Sequence, residues 1–231
     1  MKKIHRFIGD FEIGADRLLI RDAELVHQIR SVLKLRKDEE IALADGRGHE
    51  ALCTIINLSA NGVEVSVRSR RDSDLPEREV TLYCAVLKAE NFEFVVEKAV
   101  ETGALRIVPI ITARTVKQAI KQGRLKKIAH EAAEQCGRGI VPEIASPMTL
   151  KAAMKEAVDL DVNYFFDTSG EDYSRPKILS ASVGLWIGPE GGWEDFELEA
   201  AKENKFIIAS LGKLILRAET AATVATYLVN R

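Results

Sequence analysis

Cysteine is scarce in this 231-residue chain, and Cys53, Cys84 and Cys136 are odd in number, widely spaced and without metal-ligand spacing. That excludes a disulfide framework and fits structural or free thiols in a reducing cytosol. His5, His27, His49 and His130 stand apart, with no pair at metal-binding spacing, so no metal is expected. No window approaches 18 consecutive apolar residues, and no membrane span is expected. Met1-Lys2-Lys3 resembles the basic start of a secretion signal, but Asp10 and Glu12 interrupt it before any apolar stretch. The reading is a soluble intracellular protein. There is no P-loop and no G-x-S-x-G. Lys88-Ala89-Glu90-Asn91 stands where a Rossmann G-x-G-x-x-G would follow the first strand of the C-terminal part. Hydrolase, metalloenzyme and dinucleotide readings are all disfavoured.

What is present is ample core material, 46% hydrophobic residues, in one large domain or two smaller ones. The net charge of −2 hides a weak asymmetry. Residues 1–71 hold 13 Lys/Arg against 11 Asp/Glu, and the rest hold 20 against 24. Neither part is a basic tail, so binding to a polyanion would need local patches.

Residues 1–71 read as a small β-rich module. Alternation runs through Glu40–Leu43, Glu50–Leu58 and Val63–Val67, with Asn61-Gly62 as a hairpin signal. Asp22 to Ile29 reads as a short capped helix, followed by Arg30 to Lys37, where bases and apolar residues interleave. That edge suits RNA docking; solvated bases beside a core would give the same pattern. The charged, Pro-bearing stretch 72–79 reads as a linker.

From Val80 the period changes. Strands are expected at 81–87, 106–111, 162–166, 183–187 and 206–209. Helices are expected from a cap at Asn91 to Thr102-Gly103, from about Val116 to Cys136, over 194–204 and over 218–229. Strands separated by helices of ten or more residues imply right-handed crossovers and a mostly parallel sheet, hence an α/β fold.

Two of these strands end in glycine-bearing loops, Ile187-Gly188-Pro189-Glu190-Gly191-Gly192 and Leu211-Gly212-Lys213-Leu214-Ile215-Leu216-Arg217-Ala218-Glu219. Loops of this kind at the carboxyl edge of a parallel sheet form a crevice whose backbone can approach a ligand closely. Glu190, Arg217 and Glu219 are the chemistry-bearing residues there. A helix-capping role competes for Glu219, because a carboxylate in the first turn is favoured by the helix dipole. Arg114 follows the 106–111 strand at the same edge, and the stretch from Arg114 to Arg138 carries seven bases against two acids. That patch suits a phosphate backbone, or is a solvated helix face.

These stretches resemble the RsmE family of bacterial 16S rRNA uridine-N3 methyltransferases, of the SPOUT class. The resemblance lies in Leu87-Lys88, Glu97-Lys98-Ala99, Glu101-Thr102-Gly103, Pro109–Arg114, Glu131–Arg138, the IGPEGG run at 187–192 and the LGKLILRAETA run at 211–221. The two runs together are far more specific than either alone, and the likeness covers nearly the whole chain. Departures are mild: Thr102, Cys136, Ala89-Glu90-Asn91, and Trp193 where phenylalanine is frequent. The resemblance implies a trefoil-knotted parallel-sheet SPOUT domain over 80–231 and a PUA-like β-barrel over 1–71. It implies a homodimer and a cytoplasmic partner in the small ribosomal subunit. S-adenosyl-L-methionine would be held by Ile187, Gly188, Pro189, Glu190, Gly191, Gly192, Leu211, Gly212, Leu214 and Leu216. Glu219 or Glu190 is the candidate base, Arg217 or Arg114 the cation for an oxyanion or phosphate. Arg6, Arg30, Lys34, Arg36, Arg114 and Arg138 are the candidate RNA contacts. A SPOUT enzyme acting on another RNA, or a non-catalytic RNA-binding assembly factor, are the alternatives.

Overall fold

The computed structural model describes residues 4–59, 61–74, 76–115, 120–173 and 181–231. Two compact units divide them. One comprises Met1–Leu75 with Ala133–Val141, the other Pro76–Ala132 with Pro142–Arg231.

The first unit is built on a five-stranded sheet of β1 (His5–Ile8), β2 (Arg17–Ile20), β3 (Glu40–Ala44), β4 (His49–Ser59) and β5 (Gly62–Asp72), in the order β1-β3-β4-β5-β2. β1 pairs parallel with β3 and the other pairs are antiparallel. The period-2 alternation puts Ile41, Leu43, Val63 and Val65 inward, where they pack with Phe7, Ile29 and Ile55. Ser59 pairs with Gly62 at the expected hairpin. Asp22 caps α1 (Ala23–His27) by accepting from Leu25 N at 2.9 Å, and the chain continues as a π-helical turn over Gln28–Val32. Alternation does not reveal β1 and β2; four residues are too few for it to register.

The second unit holds a seven-stranded parallel sheet. Its strands are β6 (Glu79–Ala85), β7 (Arg106–Ile111), β8 (Glu143–Ile144), β9 (Met148–Thr149), β10 (Val162–Asp172), β11 (Ser182–Ile187) and β12 (Ile207–Ser210). The order is β12-β10-β11-β6-β7-β8, with β9 also on β7. The register runs Tyr164↔Leu185 between β10 and β11 and Leu185↔Leu82 between β11 and β6. The helices are α2 (Ala89–Glu101), α3 (Gln122–Cys136), α4 (Leu150–Glu156), α5 (Asp195–Glu203) and α6 (Ala218–Val229). Among the described residues no helix is long and apolar enough to cross a membrane.

α2 buries Phe92, Val95, Val96, Ala99 and Val100, the expected stripe, but it starts earlier than a cap at Asn91 would place it. Lys88 is its N-cap and Asn91 lies within the first turn, because Phe92 N already bonds Lys88 O at 2.9 Å. α3 begins at Gln122 rather than near Val116; residues 116–119 lie outside the described set. It closes as expected at Gly137, whose φ of 85° lets the Gly137 and Arg138 amides both reach Ala133 O. β10 continues past Phe166 to Asp172, through an irregularity in its pairing with β12.

The sheet's core is aromatic. Tyr83 stacks on Trp186 at 4.0 Å, Trp186 meets Phe206 at 5.1 Å, and Phe165 meets Trp193 at 4.1 Å. Buried indole N–H groups need acceptors. Trp186 donates to Asn163 Oδ1 and Trp193 to Phe166 O, each at 2.9 Å.

Candidate functional site

All strands of the second sheet run parallel, so the carboxyl ends of β6, β10, β11 and β12 share one edge. A cavity of about 910 Å³ opens there. Its walls are the 187–192 loop after β11 and the 210–219 loop after β12. Every cofactor residue expected from the sequence lines it: Ile187, Gly188, Pro189, Glu190, Gly191, Gly192, Leu211, Gly212, Leu214 and Leu216. Arg217, Glu219 and Arg114 line it as well.

Two glycines are dictated by geometry. Gly188 packs against the Trp193 indole, so that a Cβ there would lie 2.9 Å from Trp193 Cε2. Gly212 has φ 111°, in the region that favours glycine, and no heavy atom lies within 4 Å of where its Cβ would stand. The result is a cradle of backbone and aliphatic surface with a few polar groups at its rim. Its size falls in the range of small-molecule sites, roughly 300–1,000 Å³. Such a lining fits S-adenosylmethionine: backbone for adenine and ribose edges, with the carboxylates of Asp167, Glu190 and Glu219 also in the lining to suit a cationic ligand.

Glu219 lies in the first turn of α6, as the capping reading required, but the N-cap Arg217 makes no side-chain cap hydrogen bond. The Glu219 side chain is only 14% exposed and sits 4.0 Å from the Arg217 guanidinium, itself 86% exposed. Screening by water makes that pair weak, so Arg217 is free to meet a substrate. Glu190 is exposed and accepts from Lys88 N at 3.5 Å, at the long limit of a hydrogen bond. Cys84 is fully buried at the end of β6. Burial, then the charges of Glu190 and Glu219, push its thiol pKa well up, so it is no nucleophile.

Arg114 is already engaged. Its Nε donates to Glu194 Oε1 at 2.8 Å and its Nη1 to Gly191 O. The other expected RNA contacts belong to the first unit. Arg6 is bound to the carboxylate of buried Glu50, which Arg71 and Ser73 also bond. Arg30, Lys34 and Arg36 are exposed, Arg30 donating to Ser59 O at 2.8 Å. Arg138 is half-buried, and burial lowers its pKa. Within the basic stretch 114–138, Arg114 belongs to the second unit and Arg138 to the first, and Arg124 pairs with Glu93.

Sequence reasoning missed Lys88, Asn91, Phe166, Asp167, Thr168 and Ser210 in the lining. Phe166 to Thr168 could have been found, since they mark where an apolar strand ends. Nothing in the one-dimensional pattern says that β10 lies between β11 and β12.

A family model described as an RNA methyltransferase domain matches residues 73–230, and one described as an RNA methyltransferase PUA domain matches residues 20–68. Ribosomal RNA small subunit methyltransferase E of Synechocystis is 33% identical over 213 residues, covering 89% of this chain and 70% of that protein. Its Bacillus subtilis namesake is 30% identical over 219 residues, covering 87% and 85%. Among solved structures, ribosomal RNA small subunit methyltransferase E from Neisseria gonorrhoeae bound to S-adenosyl methionine aligns with a TM-score of 0.84. It is 26% identical and the alignment covers 97% of this chain and 95% of that one.

Proposed function

This chain belongs to the RsmE family of RNA methyltransferases, and from that premise we propose that it methylates N3 of a uridine in 16S ribosomal RNA. The observation that carries the reading is the glycine-walled cavity with a covered carboxylate, Glu219, beside an exposed cation, Arg217. The 187–192 and 211–216 loops hold S-adenosylmethionine, largely through backbone. When bound, it supplies an electrophilic sulfonium methyl.

The chain's own residues then have two tasks. The first is alignment, which by itself removes much of a bimolecular barrier. The second concerns the proton on N3, whose lone pair becomes a good nucleophile only as that proton leaves. Glu219 accepts it, with Glu190 as the alternative base at the same rim. Arg217 stabilises the negative charge that spreads onto the uracil carbonyls. N3 lies on the Watson–Crick edge, so the uridine must be unpaired or flipped out to reach the cavity.

Residues 1–71 form the RNA-holding module, with Arg30, Lys34 and Arg36 among its exposed bases; 72–79 link it to the catalytic domain, 80–231. The trefoil-knotted reading of that domain rests on its likeness to the family's solved structures. Leu214 and Ile215, 80% and 88% exposed at the cavity rim, support a homodimer in which a second copy covers them. The place of action is the cytoplasm, on the small subunit.

The test is methyl transfer from labelled S-adenosylmethionine to 30S subunits lacking the modification, followed by nucleoside mass spectrometry. Appearance of 3-methyluridine is the expected result. Cofactor binding without transfer would redirect the search to another RNA, and no cofactor binding would leave an RNA-binding factor.

A further inference from the structure

Behind the 188–192 loop, a closed circuit of hydrogen bonds joins the loop after β7 to the loop after β11. Glu197 on α5 is 1% exposed. Its Oε1 accepts from Ala113 N and its Oε2 from Glu194 N, each at 2.9 Å. The Glu194 carboxylate receives Arg114 Nε at 2.8 Å, and Arg114 Nη1 returns to the Gly191 carbonyl. Gly191 fits closely under the arginine stem: a Cβ there would lie 3.2 Å from Arg114 Cδ. The hydrogen bond to Glu194, then the charges of Glu194, Asp195 and Glu197, raise the Arg114 pKa, so the guanidinium stays charged in this setting.

A loop with glycine at three of five positions has large conformational freedom to lose, and a ligand that must order it binds weakly. We propose that Arg114 and Glu197 are positioning residues that fix the Gly191 carbonyl, and with it the shape of the 188–192 loop, before the cofactor arrives. Arg114 is then a structural clamp of the cofactor loop rather than a ligand of RNA phosphate. This rests on the reading that the 187–192 loop holds S-adenosylmethionine. Glu197 holds the two loops at a fixed spacing; Arg114 uses that spacing to reach Gly191.

The test compares wild type with Arg114→Ala, Glu194→Gln and the double variant. S-adenosylmethionine affinity is read by calorimetry, and RNA affinity by filter binding across a salt series without cofactor. Arg114→Ala is expected to weaken cofactor binding about tenfold, the loss of one charge-assisted hydrogen bond to the loop. The double variant should bind no more weakly than Arg114→Ala alone, because both act through one circuit. RNA affinity and its salt slope should stay as in wild type. Arg114→Lys should recover part of the cofactor affinity, a rescue that a general packing role would not give. Glu197→Gln, which keeps the shape but turns one acceptor into a donor, should shift cofactor affinity in the same direction. Unchanged cofactor affinity with an RNA salt slope reduced by about one would overturn the proposal and make Arg114 a phosphate ligand. Additive losses in the double variant would also overturn it. Failure of the wild type itself to bind the cofactor, with RNA binding intact, would instead refute the cofactor reading and the clamp with it.

Discussion

Substitution of Gly188 by alanine tests how tightly the cavity wall is built. The added methyl carbon would stand 2.9 Å from Trp193 Cε2 and 3.0 Å from Nε1, against ordinary contacts of 3.4–4 Å. Trp193 has little room to retreat. It is 6% exposed, its ring lies 4.1 Å from that of Phe165, and its N–H is spent on Phe166 O at 2.9 Å. Overpacking of this kind costs about 1–3 kcal/mol. A ring shift that stretches the buried N–H···O bond adds a further ~1–2 kcal/mol. A total of about 2–5 kcal/mol corresponds to a fall in melting temperature of roughly 4–20 °C for a chain of this size. Calorimetric melting measures the first effect; titration with S-adenosylmethionine measures the distortion of the loop, expected as at least a tenfold loss. Adding Trp193→Phe, which removes the atoms that clash, should recover part of both. A Gly188→Ala protein that melts within about 1 °C of wild type and binds cofactor normally would refute the geometric argument.

Three further outcomes follow from the same structure. Glu219→Gln should lower the single-turnover methyl-transfer rate by about 10²–10³-fold while leaving cofactor affinity within about twofold, as expected for loss of a general base. Replacing Arg30, Lys34 and Arg36 together by alanine should weaken RNA binding and reduce its salt slope by about two to three, one increment for each phosphate no longer neutralised, as read by filter binding. In the first unit, burial works to raise the Glu50 pKa, but hydrogen bonds from Ser73, Arg6 and Arg71 outweigh it and hold the carboxyl below its ordinary 4.5. The stability this gives is present above that ordinary value and is lost as pH falls through the lower folded-state value. Melting scans of wild type should therefore show a drop below about pH 4.5 that is shallower in Glu50→Gln, which at neutral pH should itself lose about 3 kcal/mol. A variant with the same acid profile as wild type would count against the Glu50 network.

Local sequence determined a great deal of this protein. The apolar stripe from Phe92 to Val100 is helical because its spacing allows only one buried face, and Ile41, Leu43, Val63 and Val65 are strand residues because alternation allows only the other. The glycine loops at 187–192 and 211–216 were legible because glycine where a strand gives way to a helix carries information about backbone geometry that neighbouring residues do not mask. Tertiary structure decided what those elements meet. Lys88, Asn91 and Phe166 to Thr168 join the cavity only because β10 lies between β12 and β11, and β6 on the far side of β11. No local pattern encodes that order. Arg114 looked free in the sequence, but its partner Glu194 is 80 residues away and its loop contact, Gly191, is 77. Arg6 likewise finds Glu50 only across the paired strands β1, β3 and β4. Charge and period are properties of a segment. Whether a charged group faces water, a ligand or a buried partner depends on long-range chain closure, and only the folded structure settles it.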